Sequence, residues 1–225
     1  MMDKAALADR YARVKSTIPS HVKLIAVSKT RTVEEIEALY ELGHRAFGEN
    51  YPQELRDKHP LLPGDIEWHF IGNLQSNKVK YVAPFVHLVH TVDGARLLDE
   101  LEKRASAANR TIDVLLQVHI AKEETKHGMS ADEARELLIG WDTTRWSHIR
   151  PKGLMGMATF TEDDDLIRSE FEGLHTLFQR IKTELGPGGS DFTELSMGMS
   201  GDARIAIEAG STMVRIGTAI FGDRG

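Results

Sequence analysis

The chain has 225 residues, a formal net charge of -6 and no cysteine. The acidic balance argues against a surface for nucleic acid or an anionic membrane. The lack of cysteine excludes disulfides, thiolate nucleophiles and cysteine-based metal sites.

Hydrophobic residues make up 41% of the chain and charged residues 28%, an ordinary globular composition. The first residues lack the apolar core of a signal peptide, and the apolar runs are too short to span a membrane. We therefore expect a cytoplasmic protein with one domain over residues 1–225, which is long enough for an α/β barrel.

Apolar runs alternate with helical patterns from one end of the chain to the other. Helical spacing of apolar residues, N-cap residues and glycine stops predict helices at 3–16, 32–43, 52–60, 95–108, 162–185 and 203–209, with others after 72–78 and after Ser130. Thr32 with Glu35 forms the capping-box pattern, and Ser130 can cap the helix that follows it. Continuous apolar runs predict strands at 21–28, 45–47, 66–71, 86–91, 112–120, 149–157, 192–195 and 213–216.

The order of these elements predicts the fold class. About eight strand–helix units follow one another, without an all-helix or all-strand block. Such alternation implies a parallel sheet, and eight units imply closure into an α/β (β/α)8 TIM barrel, here with a leading N-terminal helix. The structural alternative is an open doubly wound sheet, but no Gly-x-Gly-x-x-Gly fingerprint follows the first strand.

The first strand leads directly into a lysine. Residues 24–27 are an unbroken apolar run, followed by Ser28, Lys29 and Thr30. Ligands of α/β proteins bind at the carboxyl ends of the strands. A lysine that is desolvated there has a lowered pKa and can attack an aldehyde to form a Schiff base. Considered locally, the alternative is a lysine whose ammonium reaches solvent from the end of a strand.

Two segments near the end of the chain have the residues of a phosphate site. Barrel enzymes often bind phosphate with the loops after strands seven and eight and a short helix. Gly198, Ser200 and Gly201 follow the seventh predicted strand, and Gly217 and Thr218 follow the eighth. Glycine and serine are also common in ordinary turns, so each segment alone fits either interpretation.

Other polar residues near the predicted strands are less specific. Arg215 lies inside the apolar last strand, where it can face the barrel mouth or form a salt bridge. Asn50 follows the second strand. His87 and His90 are three apart on a strand, which places them on opposite faces. Because no His-Glu-x-x-His motif exists either, we expect no metal site.

The motifs are also specific as a set. They are AVSKT at 26–30, FGENY at 47–51, WHFIG at 68–72, LQSNK at 74–78, GLM at 153–155, LSMGMS at 195–200 and VRIGTAIFG at 214–222. This set resembles the bacterial and eukaryotic pyridoxal phosphate homeostasis proteins, in order and from about Leu24 to Gly222. The chain departs from their common pattern at Arg31, Asn73 and His119.

The resemblance implies a single barrel similar to the N-terminal domain of alanine racemase, with pyridoxal 5'-phosphate (PLP) as cofactor. It implies that Lys29 forms a Schiff base with PLP, that Ser200, Gly217 and Thr218 hold the phosphate, that Arg215 faces the pyridine nitrogen and that Asn50 lies near the ring. Lys78, Lys80 and Lys126 could receive the cofactor in transit, but we expect solvated surface roles for them.

The resemblance further implies a cofactor-binding protein in intracellular PLP (vitamin B6) homeostasis rather than an enzyme. An arginine at the pyridine nitrogen leaves the ring a weaker electron sink. Racemases with this barrel use a tyrosine from a second domain of the partner subunit, for which a chain ending at Gly225 has no room. Lys29 is then the only evident base.

Partners would be PLP and PLP-dependent apoenzymes, without nucleic acid or membrane, and a monomer suffices for binding. The alternative function is a weak PLP-dependent amino-acid racemase. A more distant one is a barrel aldolase that uses Lys29 on a phosphosugar.

Overall fold

A closed barrel of eight parallel strands forms the centre of the protein. The computed structural model describes residues 3–123 and 127–223. The strands follow the barrel in chain order, and the last pairs with the first. They are β1 (Lys23–Val27), β2 (Ala46–Glu49), β3 (Glu67–Phe70), β4 (Leu88–Val92), β5 (Ile112–Gln117), β6 (Ile149–Met155), β7 (Glu194–Met199) and β8 (Met213–Ile216). The predicted TIM barrel is confirmed, and the open sheet is excluded.

Helices follow the strands on the outside of the barrel. They are α1 (Lys4–Thr17), α2 (Val33–Glu41), α3 (Pro52–Lys58), α4 (Ala95–Ala107), α5 (Ala131–Ile139), α6 (Asp164–Leu185), α7 (Ala203–Glu208) and α8 (Thr218–Phe221), with 3-10 helices at His59–Leu61, Ser76–Tyr81 and Gly186–Gly189. Among the residues described, no helix is both long and apolar enough to cross a membrane.

The helix starts agree with the capping signals in the sequence. The Thr32 hydroxyl accepts a hydrogen bond from the Glu35 amide at 3.3 Å, and the Glu35 carboxylate accepts from the Thr32 amide at 2.8 Å. Ser130 and Glu133 form the same capping box at α5. Asp163 caps α6 by accepting from two amides of its first turn. These local bonds satisfy donors that a helix start leaves without intrahelical partners.

Two predicted elements differ from the structure. The helix expected after 72–78 is the short 3-10 helix Ser76–Tyr81, since Pro84 has no amide hydrogen and its ring would clash with a continuing helix. The seventh strand was predicted to end at Leu195, but β7 continues to Met199. Ser196 is therefore a fully buried strand residue rather than part of a loop. Ser196 belongs to a polar network inside the barrel, described below.

The core has two parts, because alternate residues of each strand point to opposite faces. Outward-facing residues such as Phe47 and Trp68 pack with the helices in one large cluster. A separate, smaller apolar cluster fills part of the barrel interior. It consists of Leu88, Leu115, Met155 and Met213, with Met157 against it. The rest of the interior holds polar side chains.

His44 lies between α1 and the barrel. Its ring contacts Tyr11 and Phe47 edge-on, at centroid distances of 5.5 and 5.1 Å. Its Nε2 is 2.8 Å from the Ala46 carbonyl oxygen. Burial lowers the pKa of His44 to about 4. The folded protein therefore holds a neutral imidazole there at pH 7.

We expect His44 to make the fold sensitive to mild acid. Its pKa in the unfolded chain is about 6.5, so the unfolded state binds the proton first and stability falls as pH drops from about 6.5 to about 4. Between pH 7 and pH 5 this group should cost about 2 kcal/mol of unfolding free energy. Urea unfolding at both values measures it. The fall in unfolding free energy between pH 7 and pH 5 should be smaller by about 2 kcal/mol in His44→Gln than in wild type. It should be the same as in wild type in His21→Gln, since His21 is exposed. Equal losses in wild type and His44→Gln would refute this role.

Candidate functional site

A cavity of about 130 Å³ opens at the carboxyl ends of β1, β7 and β8. It is lined by Val27, Lys29, Arg31, Met199, Ser200, Arg215, Gly217 and Thr218. Five of the six residues predicted from the sequence therefore share one cavity, and Asn50 is not among its lining residues. Enclosed ligand pockets usually exceed about 300 Å³. A cofactor-sized ligand would consequently fill this cavity and extend past its rim.

Lys29 lies in a tight turn at the end of β1. The Arg31 amide donates to the Ser28 carbonyl oxygen at 3.0 Å. Thr30 has a φ of 64°, the left-handed region that β-branched residues rarely adopt. Such a backbone persists only where its surroundings hold it. The half-buried Lys29 side chain thus leaves the strand from a constrained backbone.

A buried ion-pair network holds that turn. The Lys58 ammonium donates to the Ser28 carbonyl oxygen at 2.9 Å, to Glu49 at 2.8 Å and to Glu54 at 2.5 Å. The Ser28 hydroxyl donates to Glu49 at 2.7 Å, and the Thr30 amide donates to Glu54 at 2.6 Å. Burial raises the pKa of Glu49, while Lys58 beside it acts in the opposite direction. The network therefore bonds the residues on both sides of Lys29.

Arg215 supplies a buried positive charge at the cavity. It is only 4% exposed, and it donates to the Ser196 hydroxyl at 2.6 Å and to the Gly156 carbonyl oxygen at 3.1 Å. Burial lowers its pKa to about 10, so it stays charged at pH 7. In the part of the chain that the structure describes, no ion pair joins Arg215 to a carboxylate. A buried charge without a carboxylate in direct contact favours a ligand that accepts its hydrogen bonds.

Gly217 allows the backbone after β8 to pack closely against the end of β1. A Cβ there would lie 3.2 Å from both the Cβ and the carbonyl oxygen of Val27. The neighbouring Thr218 and, across the cavity, Ser200 are exposed and carry hydroxyl groups. Hydroxyls beside a glycine-lined backbone suit an anionic group such as phosphate.

Asn50 lies at the end of β2, beside β3 rather than at the cavity wall. Its Oδ1 is buried and has no hydrogen-bond partner among the described residues. Gly72 packs against it so closely that a Cβ on Gly72 would be 2.2 Å from the Asn50 carbonyl oxygen. Asn50 is thus held firmly, with an acceptor still available.

Sequence reasoning missed a polar network inside the barrel. Arg215 bonds Ser196, and the Ser196 hydroxyl oxygen is 3.0 Å from Nδ1 of His90. Nε2 of His90 is in turn 2.9 Å from Nδ1 of His69. All four residues are buried, and they come from four different strands. Polar residues within otherwise apolar strands can be recognised from the sequence. No local pattern shows which of them are hydrogen-bonded to one another inside the barrel.

The lysines considered as transit sites lie away from the cavity lining. Lys78 and Lys80 place their ammonium groups 5.7 and 5.1 Å from the centre of the Tyr81 ring. Lys126 lies outside the described residues. His119, to which the sequence assigned no role, has its Nε2 3.0 Å from the Glu123 carbonyl oxygen.

Known proteins share both the sequence and the barrel. The family model for the N-terminal domain of alanine racemase matches residues 2–225. A pyridoxal phosphate homeostasis protein of Aquifex aeolicus is 40% identical over 203 residues, which cover 90% of this chain and 87% of the relative. A pyridoxal phosphate homeostasis protein of Escherichia coli is 38% identical over 217 residues, which cover 92% of this chain and 87% of the relative.

Solved structures agree with these relatives. PipY of Synechococcus elongatus PCC7942, solved with PLP bound, superimposes with a TM-score of 0.86 at 32% identity and covers 96% of this chain and all of PipY. An alanine racemase from Bartonella henselae shares the fold, with a TM-score of 0.73 at 16% identity. This chain covers 60% of that racemase. Both sequence and structure place the protein in the pyridoxal phosphate homeostasis family, built on the alanine racemase N-terminal barrel.

Proposed function

We propose that the protein binds PLP covalently through Lys29 and acts in PLP homeostasis as a holder and donor of the cofactor. One observation carries the proposal: the cavity at the carboxyl end of the barrel brings a lysine amine together with a buried arginine and two hydroxyls. The family relatives support it by name, and the PipY structure supports it by its bound PLP.

The residues at the cavity fit this cofactor. When bound, PLP supplies two groups: a phosphate dianion, and an aldehyde that a lysine amine captures. The Lys29 amine would hold the aldehyde carbon. Ser200, Thr218 and the backbone at Gly217 would hold the phosphate, and Arg215 would donate to the pyridine nitrogen. Asn50, which does not line the cavity, would lie near the cofactor ring, with its Oδ1 as an available acceptor.

The same residues favour holding over catalysis. Arg215 keeps its proton at pH 7 because its pKa of about 10 remains above neutral. It would therefore donate a hydrogen bond to the ring nitrogen of a bound cofactor without transferring a proton, which would leave the ring a weak electron sink. Among the residues that line the cavity, Lys29 is the only side chain suited to act as a base. Racemisation needs a second acid–base group on the opposite face.

The test is an absorbance spectrum of the purified protein before and after borohydride reduction, followed by peptide mapping. We expect a near-visible absorbance band that reduction removes, and a phosphopyridoxyl mass on the peptide containing Lys29. A colourless protein that cannot be loaded with added PLP would overturn the proposal. An assay of L- to D-alanine conversion then tests the holding role alone. Steady turnover would replace that role with racemase activity while leaving PLP binding intact.

A further inference from the structure

A cluster of metal-binding residues lies at the end of the barrel opposite the cavity. Glu67 is the first residue of β3, His69 follows two residues later and His87 immediately precedes β4. One ligand atom of each lies within 4.8 Å of the other two. We propose that Glu67, His69 and His87 bind a zinc ion, with water completing its coordination.

One imidazole nitrogen of the cluster, Nε2 of His69, has no hydrogen-bond partner in the described part of the chain. The His69 side chain is nevertheless fully buried. The nearest carboxylate oxygen, on Glu67, is 3.9 Å away, which is too far for a hydrogen bond. A buried polar atom in this condition is costly. A metal ion between Nε2 and the carboxylate would satisfy both.

The three ligand atoms, which lie within 4.8 Å of one another, must move closer together to hold zinc. Tetrahedral zinc with bonds of about 2.0–2.2 Å brings its ligand atoms to about 3.3–3.6 Å from one another. The 3.9 Å between His69 and Glu67 is a few tenths of an ångström longer. His87 is exposed and Glu67 half-buried, so both side chains can close on the ion. The exposed side of His87 also gives the ion a route from solvent.

The donor set suits zinc. Two imidazoles and a carboxylate form a recurrent zinc ligand set.

The positive charge of Lys23 lies close to the proposed zinc site. Its ammonium lies 3.0 Å from Oε2 of Glu67. A carboxylate offers about four acceptor sites, so it can serve both cations. The Lys23 side chain is also 39% exposed and can turn to solvent. Lys23→Met should therefore bind zinc at least as tightly as the wild type.

The hydrogen bond at Nδ1 of His69 matches the one that metal-binding histidines usually make with their second ring nitrogen. Such histidines usually donate their other ring N–H to a fixed acceptor. With zinc on Nε2, the proton of His69 lies on Nδ1 and is donated to His90 at 2.9 Å. His90 must then carry its proton on Nδ1, facing the Ser196 hydroxyl that Arg215 also contacts. The ion would thus fix both tautomers.

This site departs from the expectation of no metal, which weighed only histidines close in sequence. His87 lies just before β4, and His90 lies within it. The structure instead joins His87 to two residues of the adjacent strand. The inference does not depend on PLP, because none of the three residues lines the cofactor cavity.

The test is equilibrium dialysis of the chelator-treated, untagged full-length protein against zinc chloride, with metal quantified per chain. We expect one zinc per chain in wild type and at least about tenfold weaker binding in His87→Gln, a variant of an exposed side chain. His148→Gln is the matched control, since His148 also meets a carboxylate, Glu102 at 2.7 Å, and should bind zinc as wild type does.

Cobalt substitution gives a second readout. The visible absorbance bands of four-coordinate cobalt should appear in wild type and His148→Gln and be absent from His87→Gln. Equal zinc binding by wild type and His87→Gln, or no stoichiometric binding by wild type, would overturn the proposal. Either result would leave the absorbance test of PLP binding unaffected.

Discussion

Lys29→Ala should abolish covalent capture of PLP: no near-visible band and no borohydride-fixed adduct. The amine is the only group at the cavity that can bond an aldehyde carbon at neutral pH, since Arg215 stays protonated. Noncovalent binding through the hydroxyls and the guanidinium should persist more weakly. Absorbance of the loaded protein and mass spectrometry after reduction measure both effects.

The matched control is Lys78→Ala, which removes a half-buried lysine outside the cavity lining and should retain the band. Urea unfolding of both variants separates lost capture from lost folding. Lys29 is half-buried in a turn, so we expect its replacement to leave stability nearly unchanged. A reduced adduct on another lysine of the Lys29→Ala protein would show that the site assignment is wrong.

Lys58→Met should destabilise the protein by about 3–5 kcal/mol. It removes the cation from a buried pair in which Glu49 is fully buried and lies 2.8 Å from the ammonium. The carboxylate would then be buried without a counterion, and the Ser28 carbonyl oxygen would lose its bond from Lys58. Because that bond holds the turn at Lys29, PLP should also dissociate faster from this variant.

Urea unfolding of Lys58→Met, Glu49→Gln and the double variant measures the coupling. The double variant should recover part of the loss, because the fully buried residue 49 no longer carries a charge, while Glu54 still lacks the Lys58 ammonium. Lys4→Met provides the comparison: its pair with Glu41 is 3.0 Å long but 64% and 57% exposed, and it should cost at most about 1 kcal/mol. A Lys58→Met effect as small as this would show that the network does not support the turn.

Patterns of a few residues predicted most of the fold. Strand and helix signals are local, so the capping box at Thr32 and the last strand, 213–216, were found correctly. Counting strand–helix units then predicted barrel closure. The sequence misplaced the end of β7, because Ser196 resembles a turn residue unless its bonds to His90 and Arg215 are known.

Local motifs predicted some residues of the candidate site, whereas others depend on tertiary contacts. Lys29, Arg215 and the residues after β7 and β8 could be proposed from motifs at strand ends, and they share one cavity. Lys58 could not, because a lysine in a polar helix is usually solvated, and its burial depends on the ion pair with Glu49 at the end of β2. The cluster of Glu67, His69 and His87 likewise requires the register between two strands.

The pairing of β8 with β1 also determines how the protein folds. Ile25 opposite Arg215 joins segments from nearly opposite ends of the sequence. Closing so long a loop has a high entropic cost and favours slow folding dominated by non-local contacts. Lys29 follows one of these strands and Arg215 lies on the other, so an intermediate with an unclosed barrel has no cavity. A ligand held between them binds only the completed fold and therefore lowers the population of open, aggregation-prone states.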